Sequence, residues 1–596
     1  MRRLIGGTLA LLGILALAAC AGLPVSGPVT AGRPVDEART GPEVRFFPEE
    51  PQPGATQEEI VEGFLLAGSG SSNDWQTARS FLAPSIQSSW DPSAGVAVVP
   101  TGEIVAQPAV DDTVTVTLAP VASVDDTGRY EPALGGTATL AFDLVQVAGQ
   151  WRISKAPDGI VLDESVFGTV FHRYSVMYFD PSWTYLVPDE RWFPTTSAAV
   201  RITGALVDEQ PSDWLTGAVS TAFTDDVTSV YSSVPQSAGT ARVELSPEAL
   251  ALEQLTIDRM ATQLEASLAT AGITEVQLTV DGVPIAATPV QTRSTAVTGA
   301  PLVMTDQGFG FLSGGELTTI TGLSDAVARS TPVAVQVGPD QRSAAVLSAD
   351  GSVVRAEATD NIVVLDTRSA LRAPVIDARG YVWSIPARSP AALTAFGPGV
   401  ESPLLSQPWA AAGVTDVQAI AISRDGTRIA GVVRIGDRTE LWLSGIIRDE
   451  RDNRGAPARL GEPIVAGTIE GEAVSMVWTD DVTVAVVVRS GTETDIVEQT
   501  VGGPPRRLPG LPARRSRRWR PRPRASGCAP MTADCTSVAV PTGCRRQRAS
   551  CCWRCSRARP RSGWTGLLPS VCRDAAVPVR DDPVRAAHRP GYTVVP

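Results

Sequence analysis

The sequence predicts a multidomain chain: two α+β domains followed by an all-β, propeller-like domain that is incomplete. Helix-then-strand patterns starting at Thr56 and at Ala198 mark the two α+β domains. From about Pro301 the texture changes to short apolar strands separated by polar turns. At Arg506 that texture gives way to a stretch rich in Arg, Pro and Cys, which removes the strands that would close a ring of blades.

Residues 1–19 read as a lipoprotein signal peptide. Arg2 and Arg3 form a short positive region, Leu4 to Ala19 a short apolar one, and the run ends in Leu17-Ala18-Ala19-Cys20. Small residues at 18 and 19 suit a signal peptidase, and the Cys20 thiol is the acyl acceptor; the competing reading is an ordinary secretory signal with an incidental cysteine. Diacylation at Cys20 exceeds the single chain that anchors only marginally, so the mature protein is expected on the extracytoplasmic face of the membrane. Residues 20–55, rich in Pro and Gly, read as an extended tether.

The first α+β domain is placed at 56–197. Thr56-Gln57-Glu58-Glu59 matches a capping box, followed by a helical stripe of Ile60, Val61, Phe64 and Leu65. A short helix carries Trp75, Ala78, Phe81 and Leu82. Strands follow at Thr113–Leu118 and 137–147, with a hairpin turn at Gly149-Gln150 feeding another. Helices first and a curved antiparallel sheet later suggest a cone of the nuclear-transport-factor kind. The aromatic run Tyr178, Phe179, Trp183, Tyr185, Trp192 and Phe193, with His172 nearby, reads as packing between domains rather than as a sugar-stacking platform.

The second α+β domain is placed at 198–300. Ala199–Thr203 reads as a strand or helix start, and Trp214, Leu215, Ala218, Val219 and Ala222 as a helical face. Ser246-Pro247 supplies a cap with Pro at the first helical position. The helix after it aligns Ile257, Met260, Ala261, Leu264, Leu268 and Ala271, and Gly272 stops it. Val276, Leu278 and Val280 then alternate as a strand ending at Asp281-Gly282.

The propeller-like domain is placed at 301–505. Turn marks recur at Thr305–Gly308, Ser348–Gly351, Asp377–Gly380, Ser423–Gly426 and Thr479–Asp481. Their irregular spacing approaches the roughly 40–50 residues of a blade once some mark different turns of one blade. The clearest blade core is Ile422 to Leu443. The Asp-Gly marks lack the further carboxylates of a calcium loop and read as hairpin turns.

Composition bounds the chemistry. The net charge of −13 conceals a body of 31 basic and 60 acidic residues and a stretch, 506–596, of 20 Arg and four acidic residues. The chain has two histidines and one lysine, Lys155, so His-based catalysis and zinc chemistry lack their usual material. Beyond the first twenty residues nothing approaches the about 20 apolar residues of a spanning helix, which excludes a polytopic membrane protein. No catalytic, cofactor-binding or metal-binding residues are assigned.

Lipobox, tether, α+β unit, a second unit similar to the spore-germination GerM-N type, and a propeller-like segment occur here in one order. With Gly22-Leu23-Pro24 and Phe46-Phe47-Pro48, that order resembles the actinobacterial LpqB lipoprotein family over residues 1–505. The resemblance implies a non-enzymatic accessory protein, lipid-anchored, that partners the extracytoplasmic part of an MtrB-type sensor histidine kinase. Signalling to the response regulator MtrA and cell-envelope homeostasis would follow, with no nucleic acid and no cofactor involved. The alternative function is a glycan-binding protein or hydrolase with acidic residues in the propeller funnel. For 506–596 three readings stand: a disordered or frame-shifted stretch, a metal site at Cys551, Cys552 and Cys555, and a basic nucleic-acid arm. Frame-shifted GC-rich codons best account for the Arg, Pro, Cys and Trp there.

Overall fold

The structure, a computed structural model, describes residues 48–508, apart from 231–233, 238, 298, 398–399, 402–404, 406, 450–454 and 492, together with 593–595. The lipobox Leu17–Cys20, and the Cys551, Cys552 and Cys555 cluster, lie outside these residues.

The first domain opens on α1 (Gln57–Ala67). Thr56 accepts from the Glu59 amide at 3.3 Å while the Glu59 carboxylate accepts from the Thr56 amide at 2.8 Å, so both arms of the capping box form. Ile60, Val61, Phe64 and Leu65 are buried, and Phe64 packs edge-on against Trp90 and Phe142. The second helix, α2 (Gln76–Ser80), is shorter than its apolar stripe, because Trp75 adopts a left-handed backbone (φ 53°) at its start.

Seven strands follow: β1 (Gly95–Val99), β2 (Thr113–Leu118), β3 (Ala122–Asp125), β4 (Tyr130–Pro132), β5 (Ala138–Val147), β6 (Gln150–Lys155) and β7 (Ile160–Asp163). They form two sheets, β2-β5-β6 and β4-β3-β1-β7, rather than one antiparallel sheet. The β1–β7 pair is parallel, which the long excursion between them permits. Pro48–Ala55, expected as part of the tether, pack on this domain: the Gly54 amide donates to Gln150 Oε1 at 2.8 Å.

After α3 (Glu164–Val170) comes a long hairpin, β8 (Phe171–Phe179) and β9 (Leu186–Pro194). Tyr174, Val176, Tyr178 and Phe193 share a core with the second α+β unit, so that unit begins near Phe171 rather than at 198. Its remaining elements are α4 (Ala198–Val207), β10 (Gln236–Ser237), β11 (Thr240–Glu244), α5 (Gln254–Ala269), β12 (Glu275–Val280) and β13 (Val283–Pro284), with strand order β10-β11-β12-β13. β11 and β12 are parallel and joined through α5, a βαβ unit. Ile257, Met260, Ala261, Leu264 and Leu268 are buried along α5, and Gly272 follows at φ +82°.

Two expectations are corrected here. The Ser246 side chain does not cap a helix; its Oγ accepts from the Thr228 amide at 3.2 Å, and Pro247–Ala251 form a 3₁₀ turn ahead of α5. Trp214 to Ala222 is no helix either. Asp213–Leu215 make one 3₁₀ turn, and Gly217 (φ +78°) breaks the chain's helical path.

Five sheets follow. The first holds β14 (Leu302–Thr305), β15 (Gly308–Ser313) and β16 (Glu316–Thr318), and α6 (Leu323–Arg329) leads to the second. That sheet has β17 (Pro332–Val337), β18 (Ser343–Ser348), β19 (Val353–Glu357) and β20 (Ile362–Asp366). The third is β21 (Val375–Ile376), β22 (Val382–Ser384), β23 (Thr394–Gly397) and β24 (Val400–Glu401). After α7 (Gln407–Ala411) the fourth has β25 (Asp416–Ile422), β26 (Arg428–Ile435), β27 (Arg438–Arg448), β28 (Pro457–Leu460) and β29 (Ile464–Thr468). The fifth is β30 (Glu472–Trp478), β31 (Thr483–Ser490), β32 (Glu493–Thr500) and β33 (Pro505–Leu508). Strands β17, β21, β25 and β30 touch in succession, as neighbouring blades do. Among the described residues no strand pairing joins the fifth sheet to the first.

Each turn mark falls in a hairpin of a different sheet, and four of the five join that sheet's first two strands. The aspartates act locally: Asp350, Asp377, Asp425 and Asp480 each accept from backbone amides two residues ahead. The domain runs to Leu508, past the boundary at 505, because Arg506 and Arg507 pair in register with Glu498 and Val497. Thr593–Val595 form β34, parallel to β17, against the expectation of disorder through 596. That short run is β-branched and uncharged, unlike the Arg-rich stretch before it.

Candidate functional site

Two places concentrate chemistry: a buried polar seam along β9 and a cleft beside α1. The seam arises from Asp189-Glu190-Arg191, three consecutive charged residues in the middle of a strand, all buried. Alternation sends Asp189 and Arg191 to one face and Glu190 to the other. On the first face Arg191 Nη2 lies 2.8 Å from Asp189 Oδ2, and the Ser212 amide and hydroxyl donate to the same carboxylate at 2.9 and 2.8 Å. Arg191 Nη1 donates to the Thr127 carbonyl at 2.8 Å, tying the first domain to the second. Burial works against the Arg191 charge, but Asp189 outweighs it and holds that guanidinium protonated more firmly than usual.

On the opposite face Arg173 Nε sits 2.8 Å from Glu190, and the Ser175 hydroxyl donates to it. Burial dominates nonetheless, and the Glu190 carboxyl is pushed up to about 7. This face meets the propeller: Trp192 Nε1 donates to the Gly502 carbonyl at 2.6 Å, and Gly502 packs on Glu190. Trp214 and Leu215 bury in the propeller core with Ala430, Val432, Leu441 and Leu443. The fit is tight: a methyl group on Gly445 would come within 2.6 Å of the Trp214 carbonyl.

The aromatic run serves this packing. Tyr178, Phe179 and Phe193 are buried, Trp192 lies on Phe167 with ring centres 4.6 Å apart, and the Arg259 guanidinium covers Trp183. The sequence reading found the aromatics but missed Arg173, Asp189, Glu190, Arg191 and Ser212. The available signal was a block of three charges inside an apolar, aromatic strand.

The cleft has a volume of about 770 Å³, between Pro48–Ala55, α1 and β7. Leu65, Leu66, Ile104, Val161 and Val166 supply apolar walls, and Glu49, Glu50, Glu59, Glu62 and Asp163 supply charge. Asp163 is held below the usual carboxylate range by the Ser165 hydroxyl and by the Ser165 and Gly102 amides.

The buried carboxylates of the propeller are engaged. Asp366 pairs with Arg368 at 2.6 Å, Asp377 with Arg448 at 2.8 Å, and Asp425 with Arg428 at 2.6 Å. The Arg428 guanidinium also lies over the Trp478 ring. Among the described residues no group of three or more His, Cys, Asp or Glu is arranged to hold a metal ion, and no helix is long and apolar enough to cross a membrane.

Fold and seam together define a three-module protein whose two α+β units and propeller-like sheets pack together along β9 and the turn at Trp214. Residues 50–168 match the lipoprotein LpqB N-terminal domain, 175–286 the sporulation and spore germination domain, and 307–517 the lipoprotein LpqB beta-propeller domain. The chain belongs to the lipoprotein LpqB family. Lipoprotein LpqB of Thermobifida fusca is 31% identical over 42% of this chain, a match spanning 41% of that protein. That of Bifidobacterium longum is 25% identical over 72% of this chain and 75% of its own. That of Streptomyces avermitilis is 27% identical over 80% and 85%. Among solved structures, TolB from Acinetobacter baumannii aligns with 18% identity over 34% of this chain and 48% of that one, at a TM-score of 0.25.

Proposed function

We propose that this chain is a non-enzymatic accessory lipoprotein, anchored through Cys20 on the extracytoplasmic face of the membrane. Its role is to bind and modulate a two-component sensor kinase of the MtrB type in cell-envelope homeostasis. One observation supports the non-enzymatic part: the propeller's buried carboxylates Asp366, Asp377 and Asp425 each form an ion pair with an arginine. A carboxylate paired in this way is a poor general acid or base, and Asp377–Arg448 in addition ties the third sheet to the fourth. The glycan-hydrolase alternative has no such observation in its favour. Lipobox and family support the anchor, and the family resemblance supports the kinase.

The test is co-purification from membranes. With Cys20 intact, the kinase should be recovered with the protein without added nucleotide or metal. Cys20→Ala should leave precursor or soluble protein and lose the membrane fraction. Absence of kinase from the intact sample, with both proteins folded and present, would count against the accessory role.

A further inference from the structure

We propose that the cleft beside α1 is a docking groove for a basic, amphipathic polypeptide segment of a partner protein. The surface is independent of whether that partner is a kinase.

The groove is about 770 Å³ and its lining contains five carboxylates but no Lys, Arg or His. On α1, Glu59, Glu62 and Leu66 stand at helical spacings of three and four, so one face presents two acids followed by an apolar side chain. Leu66 is 64% exposed, the largest value for a Leu among the exposed large apolar residues. It sits beside the groove's other apolar walls, so its exposure adds to a patch rather than standing alone. Across from α1 the wall is Pro48–Ala55, with prolines at 48, 51 and 53. Proline has no N–H, so this wall offers carbonyl acceptors in excess of donors.

These properties select one chemistry. Anionic ligands, including phosphates and acidic lipid headgroups, are repelled by the rim. A purely apolar ligand leaves the rim carboxylates Glu49 and Glu50 unmatched. A segment carrying Leu-like side chains for the Leu66 wall, flanked by Lys or Arg for Glu49, Glu50 and Glu62, satisfies both. Glu59, Glu62 and Asp163 contribute charge although each is already engaged: Glu59 and Glu62 accept from the Thr56 and Ala106 amides, and Asp163 from Thr101, Gly102 and Ser165. This chain's own Arg45-Phe46-Phe47 has similar chemistry and adjoins Pro48, so it is the competing occupant.

The experiment uses the mature chain, residues 20–596, with Cys20→Ser so that no lipid attracts the probe. The probe is a fluorescent 18-residue Leu/Lys amphipathic peptide, compared with its Leu/Glu and Ser/Lys counterparts, by anisotropy. The Leu/Lys peptide should bind and the other two should bind at least tenfold more weakly. Leu66→Asp, and separately the combined Glu49→Lys, Glu50→Lys and Glu62→Lys changes, should each weaken binding at least tenfold with unchanged circular dichroism. Leu66 is exposed on its helix, so that variant retains the fold if the combined one does not. Equal affinity for Leu66→Asp and the parent would overturn the proposal. A tenfold gain on deleting residues 41–47 would overturn it too, by showing that the chain's own segment holds the groove.

Discussion

Glu190 carries the clearest consequence at the scale of one residue. It is buried, faces Arg173 and Ser175, and has Asp481 and Asp189 as its acidic neighbours. Its folded-state value of about 7 exceeds the ordinary 4.5, so the folded protein keeps a proton that the unfolded chain has released between those values. Stability from this group is therefore complete below about pH 4.5 and is lost as pH rises through 7. At ~1.4 kcal/mol per unit, the change is on the order of 3 kcal/mol, a figure that already includes the opposing pull of Arg173. Glu190→Gln removes the titration. The variant should gain thermal stability relative to the parent between pH 5 and pH 8, measured as the difference in Tm at each pH. A constant difference across that range would rule out burial of this carboxyl.

Elements are stabilised by signals of very different range. The capping box at Thr56 is local, and the same four residues that suggest it form it. Thr56→Ala should lower stability by about 1 kcal/mol, and Glu59→Ala should have a similar effect because it removes the reciprocal bond. Chemical denaturation with both single variants and the double variant checks this: the double change should be less than the sum, since one motif is being broken. The segment after α4 behaves oppositely. Trp214 and Leu215 have helical spacing with Ala218 and Ala222, but Pro211 before them and Gly217 within them interrupt the backbone. Their burial comes from the propeller rather than from a helix packed in their own unit. Apolar spacing alone does not distinguish those cases, because both put the same side chains out of water.

Over the whole molecule, the seam and the Trp214 turn link the three modules through direct contacts. Arg191 reaches the first domain at Thr127, Trp192 reaches the propeller at Gly502, and Trp214 inserts into the propeller core. Trp214→Ala should cost about 3–5 kcal/mol, since it leaves a cavity at a buried module contact. It should also split the melting transition, with the propeller sheets unfolding at lower temperature than the α+β units. Calorimetry of parent and variant reads both effects; a single unshifted transition in the variant would show that Trp214 does not couple the modules.

By itself the sequence determined the kinds of element and their order. Helix caps, period-two strands and Asp-Gly turns act within a few residues, and the lipobox and the change at Arg506 are likewise local patterns. That is why the five turn marks fall in five successive sheets, although their spacing looked irregular: hairpin chemistry is local, while blade length also includes loops of any size. Only the tertiary structure decided where the hairpin β8–β9 belongs, that β1 and β7 run parallel, and that β34 returns to pair with β17. It alone revealed that Asp189, Glu190 and Arg191 lie inside the protein. A charge is buried when partners far along the chain, here Ser212, Thr127 and Gly502, arrive to surround it, and no local pattern encodes that arrival.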